Sequence, residues 1–143
     1  MHAEQISIFL ENKSGRLAEV TRVLAAADIN IRALALAETT DFGVLRLIVN
    51  DNDKARQTLK ENGFTVKKTR VVAVKVPDRP GGLAAILDTL GQGAINIEYM
   101  YAFVQQSGSD AIMIFRFDDP DAALQLLQAK GMTVIAGETL SQL

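Results

Sequence analysis

The sequence predicts an α+β protein made of two copies of one βαββαβ lobe. Three observations carry this. The chain matches itself at an offset of 66 residues. Alternating apolar runs and helix-spaced apolar runs follow in the order strand, helix, strand, strand, helix, strand, twice over. The same glycine-bearing turn precedes the first helix of each copy: Asn12-Lys13-Ser14-Gly15-Arg16-Leu17 in one, Asp78-Arg79-Pro80-Gly81-Gly82-Leu83 in the other.

The match runs well beyond the turn. Ile6, Ile8 and Leu10 fall on Val72, Val74 and Val76, and Leu17, Val20 and Leu24 fall on Leu83, Ile86 and Leu90. Ile29-Asn30-Ile31 falls on Ile95-Asn96-Ile97. Later the offset becomes 68, with Asp51 on Asp119, Leu59 on Leu127 and Gly63 on Gly131. A two-residue insertion near Gln105 to Ser109 accounts for the slip.

Taken in order, residues 5–11 alternate and form the first strand. Leu17, Val20, Leu24 and Ala27 keep helical spacing. Residues 31–38 form the second strand, 39–43 a hairpin loop and 44–49 the third strand. Asp51 is placed to cap the second helix, which turns Ala55 and Leu59 inward. Gly63 supplies the left-handed residue that ends it. Residues 64–68 form the fourth strand.

The second copy repeats this with strands at 70–76, 98–104, 110–117 and 132–136. Its first helix covers 83–90. The second starts at Asp119-Pro120, a cap followed by proline at the first helical position. The tail after 136 is expected to be loose. The domains are thus 1–69 and 70–143, with almost no linker. Helices cover one face of each antiparallel sheet through right-handed crossovers, which is the ferredoxin-like arrangement. Lobes this small bury little surface alone and are expected to pack on another lobe or chain.

Composition removes several function classes. The 143 residues carry a net charge of −2, and the pI is about 5.4. Nucleic acid is not an expected partner, because phosphate binding needs cationic surface. Lys67-Lys68 with Arg70 reads as a solvated strand end. An RNA-binding βαββαβ module would carry aromatics on its first and third strands over a basic sheet, and here the first strands read Ile6-Ser7-Ile8-Phe9 and Val72-Ala73-Val74-Lys75 in an acidic protein. There is no cysteine, so disulfides, thiolate zinc sites and thiol catalysis are excluded. No apolar run reaches the ~20 residues that span a bilayer. The first residues do not read as a leader, so a cytoplasmic protein is expected.

Catalytic groups are equally scarce. The one histidine, His2, stands near the start of the chain and reads as a solvated end residue. Serine and cysteine triads cannot be assembled around it. The acidic clusters Asp51-Asn52-Asp53 and Asp118-Asp119-Pro120-Asp121 each open a helix, where negative charge is favoured. They lack calcium-loop spacing, and no phosphate-binding loop is present. No enzyme activity, metal or cofactor is expected.

The turns remain. A helix start offers unpaired N–H groups and partial positive charge, which suit an anion. Gly15 and Gly81-Gly82 leave that end uncovered. A free amino acid would put its carboxylate there, and Asn12, Asp78, Asn30 or Asn96 would accept from its ammonium. The competing reading is that glycine and proline serve only the turn and that asparagine pairs with its own backbone.

The pattern Asn/Asp-x-x-Gly-x-Leu-Ala, a helix, Ile-Asn-Ile, then βαβ resembles the ACT domain. The second copy is the closer match, and the first departs from it at Ser14, where the family usually has proline. The resemblance covers nearly the whole chain as two ACT domains. It implies a stand-alone regulatory protein that binds an amino acid or related small metabolite between domains, as a homodimer with allosteric coupling. Carried onto this sequence, the resemblance implies ligand contacts from Asn12, Gly15, Arg16 and Leu17, and from Asp78, Gly81, Gly82 and Leu83. Asn30, Ile31, Asn96 and Ile97 would line the other side. The alternative is a regulatory or interaction subunit that docks on a separate metabolic enzyme.

One contrast between the copies is independent of the family. Ala33, Ala35 and Ala37 line one face of the second strand, where the other copy has Tyr99, Tyr101 and Phe103. Small opposite large suits interdigitating surfaces. The second strand is a sheet edge, so pairing of these edges between lobes or chains is expected.

Overall fold

In the computed structural model, residues 2–11, 13–38, 41–103 and 110–143 are described. The elements are β1 (Ala3–Glu11), α1 (Arg16–Ala26), β2 (Ile31–Glu38), β3 (Phe42–Val49), α2 (Asn52–Glu61) and β4 (Thr65–Pro77). They continue as α3 (Gly82–Gln92), β5 (Ile97–Ala102), β6 (Asp110–Phe117), α4 (Pro120–Ala129), β7 (Val134–Ile135) and α5 (Gly137–Gln142). Residues 4–69 form one compact unit, and residues 70–143 with His2 and Ala3 form the other.

In the first unit the strand order is β2-β3-β1-β4. β1 and β3 pair antiparallel with Ile6 opposite Leu47 and Leu10 opposite Gly43. β2 is the edge and sets Leu34 opposite Leu47. In the second unit the order is β5-β6-β4-β7, with β5 as the edge. Each unit is therefore a ferredoxin-like βαββαβ fold, with α5 added after the second.

The helices cover one face of each sheet because each carries one apolar stripe. Ile6, Ile8 and Leu10 of β1 pack with Val20 and Leu24 of α1 and Ala55 and Leu59 of α2. The matched residues Val72, Val74, Val76, Ile86, Leu90, Ala123 and Leu127 build the second core. There the Phe115 and Phe117 rings stack with centroids 5.3 Å apart. Each large side chain buried this way contributes about 1.5–3 kcal/mol. The helix ends repeat too. Asp51 accepts from the Lys54 N–H and Asp119 from the Ala122 N–H, each cap being worth about 1 kcal/mol.

Several boundaries differ from the sequence expectation. Phe42 and Gly43 belong to β3 and not to a loop, since they pair with Glu11 and Leu10. Thr39 and Thr40 of the predicted loop, Val104 of the predicted strand and the Gln105 to Ser109 insertion lie outside the described residues. The strands expected at 64–68 and 70–76 are one 13-residue strand, β4, whose first proline is its last residue. The strand expected at 132–136 shrinks to two residues, Val134 and Ile135. Met132 is withdrawn from it because its N–H donates to Leu127 O in closing α4, and Ala136 starts α5. The tail is helical rather than loose, anchored by Leu140 at 1% exposure.

β7 is so short that β4 runs past it. Lys75 N–H still reaches Thr133 O at 2.9 Å. Two residues on, the next position with that orientation is Pro77, which has no N–H to leave unpaired.

His2 is not a free end residue. Its Nε2 lies 3.0 Å from Asp121 Oδ1, and Arg70 Nη2 donates to the same oxygen at 2.8 Å. Lys68, expected to be solvated, bridges Glu4 and Asp53. The Arg70 guanidinium, with a smaller contribution from His2, holds the Asp121 carboxyl below its ordinary range. A lowered folded-state pKa stabilises fully above the unfolded value of about 3.9 and is lost as pH falls through the folded one. Asp121→Asn should therefore lower the melting temperature slightly at pH 7 but not in strong acid, by circular dichroism. Salt should shrink the difference, since the group is exposed.

Candidate functional site

Each unit presents one corner where a strand runs directly into a helix. In the first, β1 ends and Gly15 starts α1 with φ +88°. In the second, β4 ends and Gly81 starts α3 with φ +85°. Both are left-handed conformations that glycine adopts without strain. Among the described residues no side chain caps either helix. Gly82 N–H turns back to Arg79 O at 3.0 Å, and Ala85 N–H makes the first helical bond, to Gly81 O. The Leu83 and Ala84 N–H groups between them have no partner among the described residues, so the second helix start remains a donor.

The second corner opens onto a cavity of about 270 Å³, lined among others by Lys75, Arg79, Gly81, Gly82, Asp110 and Met132. Gly82 is fixed by a close approach. A Cβ there would stand 2.0 Å from the Pro77 carbonyl oxygen.

The first corner is smaller, about 140 Å³, and is lined by Glu11, Lys13, Arg16, Leu17, Leu36 and their neighbours. Its charges are paired. Lys13 contacts Glu11 at 2.7 Å and holds that carboxyl below its usual range. Arg16 donates to Glu19 at 2.9 Å and lies 4.8 Å over the centre of the Phe64 ring.

The residues expected to line the opposite side of a ligand are elsewhere in each unit. Asn30 N–H donates to Asn50 Oδ1 at 2.9 Å, and Asn96 N–H to Asp118 Oδ1 at 3.2 Å. Ile31 and Ile97 pack against the cores of their own units. Ile31 pairs with Val49, whereas the first corner adjoins Gly43. Six residue steps at about 3.3 Å separate these ends, so the two halves of the expected site lie about 20 Å apart within one unit. Asn12 lies outside the described residues. Asp78 is exposed beside the second corner.

Sequence reasoning missed Lys75, Asp110, Met132 and Thr133. Lys75 carries the one available signal, a charge within the run Val72-Ala73-Val74-Lys75-Val76. It also missed Asn50 and Asp118, whose shared offset of 68 marks them as a matched pair. A further cavity of about 330 Å³ lies between β7 and α5 and shares Lys75 and Thr133 with that of the second corner. Among the described residues no group of three acidic or imidazole side chains is placed to hold a metal. Among the described residues no helix is long and apolar enough to cross a membrane.

The family pattern of the ACT domain pair matches residues 1–143. The chain belongs to the ACT domain pair family. A crystallised protein from Bacteroides thetaiotaomicron is 46% identical to it, with a TM-score of 0.94 over 100% of this chain and 98% of that one. The ligand-free regulatory subunit of aspartate kinase from Thermus thermophilus is 20% identical, with a TM-score of 0.60 over 90% and 91% of the two chains. The corresponding subunit from Thermus flavus is 17% identical, with a TM-score of 0.54 over 88% and 90%. At these identities the two Thermus proteins share the fold of this ACT pair. A comparison with curated proteins gave no match.

The two glycines of α3 separate the roles of this residue in the ACT pair. Gly91 has open space where a Cβ would stand. Gly91→Ala should stabilise by about 0.5–1 kcal/mol through helix propensity. Gly82→Ala should destabilise by about 1–3 kcal/mol, the range for overpacking. Urea denaturation of both variants checks the pair of signs.

Proposed function

We propose that this ACT pair is a non-catalytic regulatory protein that binds a free amino acid or related small metabolite. The carrying observation is the second corner. An uncapped helix start opens there onto a cavity that also holds two cations and a carboxylate, in a chain whose whole length is ACT domains. A carboxylate ligand there would meet Lys75 and Arg79 beside the Gly81-Gly82 corner, and an ammonium would meet Asp110. Asn30, Ile31, Asn96 and Ile97 would then serve as walls supplied by an adjoining domain of a second copy. Such a sensor would work in the cytoplasm and need no cofactor.

Supporting a non-catalytic role, the single histidine is engaged with Asp121 and Arg70, and the acidic clusters are spent on caps and ion pairs. A ligand that binds the folded chain raises its melting temperature by mass action, by about 2.7 kcal/mol of stability at a hundredfold excess over Kd. A thermal-shift screen of the twenty amino acids should give a rise with one or a few of them. A flat response across the set would count against the reading.

The dimer is part of the same proposal. β2 and β5 are sheet edges, and Tyr101 on β5 and Phe103 just after it are each 8% exposed. With the ligand bound at a shared boundary, binding and assembly would strengthen each other. Tyr101→Asp should lower the mass measured in solution by light scattering.

A second reading, docking on a separate metabolic enzyme, is favoured by the exposed apolar side chains of the first unit. Phe9, Leu17, Leu34, Leu36 and Phe42 are 39–60% exposed. That is the kind of surface a partner covers.

A further inference from the structure

The two corners are copies, and three matched positions decide what each can hold. In the first unit Arg16 lies over Phe64 and bonds to Glu19. Its charge is stacked and neutralised within its own unit. In the second unit these positions are Gly82, Met132 and Ala85, and all three line the 270 Å³ cavity. The cavity is the space that an internal ion pair fills in the other copy. No arginine can be carried at position 82, because the Pro77 carbonyl already occupies the site of its Cβ.

The charges around the opening differ as well. Lys75 and Asp110 stand where the first copy has Phe9 and Phe42. Lys75 and Arg79 line the cavity, and neither is in an ion pair among the described residues. Ala85, Ile86 and Met132 supply its apolar wall. At about 270 Å³ the space falls just below the range of about 300–1,000 Å³ that drug-sized ligands occupy.

We propose that the second unit holds the chain's single ligand site and that the first corner is sealed by its own Arg16. The site takes a small carboxylic acid that also bears a cationic group. Lys75 and Arg79 attract the acid, Asp110 takes the cation, and Met132 with Ile86 receives an apolar side group. This rests on the regulatory reading above and adds which copy binds and by which charges.

The chain has no cysteine, so single thiols report on each corner without background. Ala85→Cys probes the open cavity and Leu17→Cys the sealed one. Each is labelled with the sulfonatoethyl and the trimethylammonioethyl methanethiosulfonate, with rates normalised to free cysteine. At position 85 the anionic reagent should react about tenfold faster than the cationic one, as expected of a focused cationic cleft. Adding Lys75→Ala should remove most of that preference, and position 17 should show none. Equal or reversed rates at 85, or the same preference at 17, would overturn the inference.

Equilibrium dialysis of the unmodified chain against a labelled equimolar mixture of the twenty amino acids counts the sites. One molecule bound per chain is expected. Two per chain would overturn the inference alone. No uptake would overturn the amino-acid reading and the ligand class named here, whatever the labelling rates.

Discussion

Each unit stands on the burial of one apolar stripe per helix against one face of an antiparallel sheet. The helical spacing of Val20, Leu24 and Ala27 and the alternation of Ile6, Ile8 and Leu10 are two periods that meet on that face. Once they meet, the crossover positions are set, and a strand must hand over to a helix at one end of the sheet. The corners are therefore a consequence of packing before they are anything else. Glycine at positions 15 and 81 lets the handover happen within a few residues, and the same tightness leaves the helix starts without a side-chain cap.

Duplication then lets one geometry carry two chemistries. In the first copy the space beside the corner is filled from within, by a guanidinium lying on an aromatic ring. In the second, the Pro77 carbonyl stands so close to α3 that only glycine fits next to it. That single close approach removes the side chain that would close the space. What is a turn in one copy becomes a recess in the other.

The fold was legible because it was written twice. Period and offset placed eight strands and four helices, and the caps Asp51 and Asp119 and the terminator Gly63 lie where turn chemistry required. The errors have physical causes. Two predicted strands merged because nothing between Thr65 and Val76 interrupts extended backbone. The last strand shortened because the closing bond of α4 consumed the Met132 N–H. The tail shows no helix in the sequence because six residues anchored by Leu140 alone carry almost no periodic signal. At the corners, motif and glycine geometry could be read, but the lining could not. Lys75, Asp110 and Met132 are 35 and 22 residues apart in sequence and come together only through strand pairing. Asn30 and Asn96 had the right repeat position, yet their backbone N–H groups tie the start of a strand to a side chain at the end of the next one.

The brevity of β7 has a consequence for how the protein survives at high concentration. Past Val134, toward Pro77, the rim of β4 has no neighbouring strand among the described residues, and a bare rim of amides would recruit extended segments from other molecules. Proline at 77 withholds a donor from that rim, and the nearby Pro77 carbonyl already accepts from Arg79 N–H. The residue that keeps the recess open also denies stray chains a template for growth into fibres.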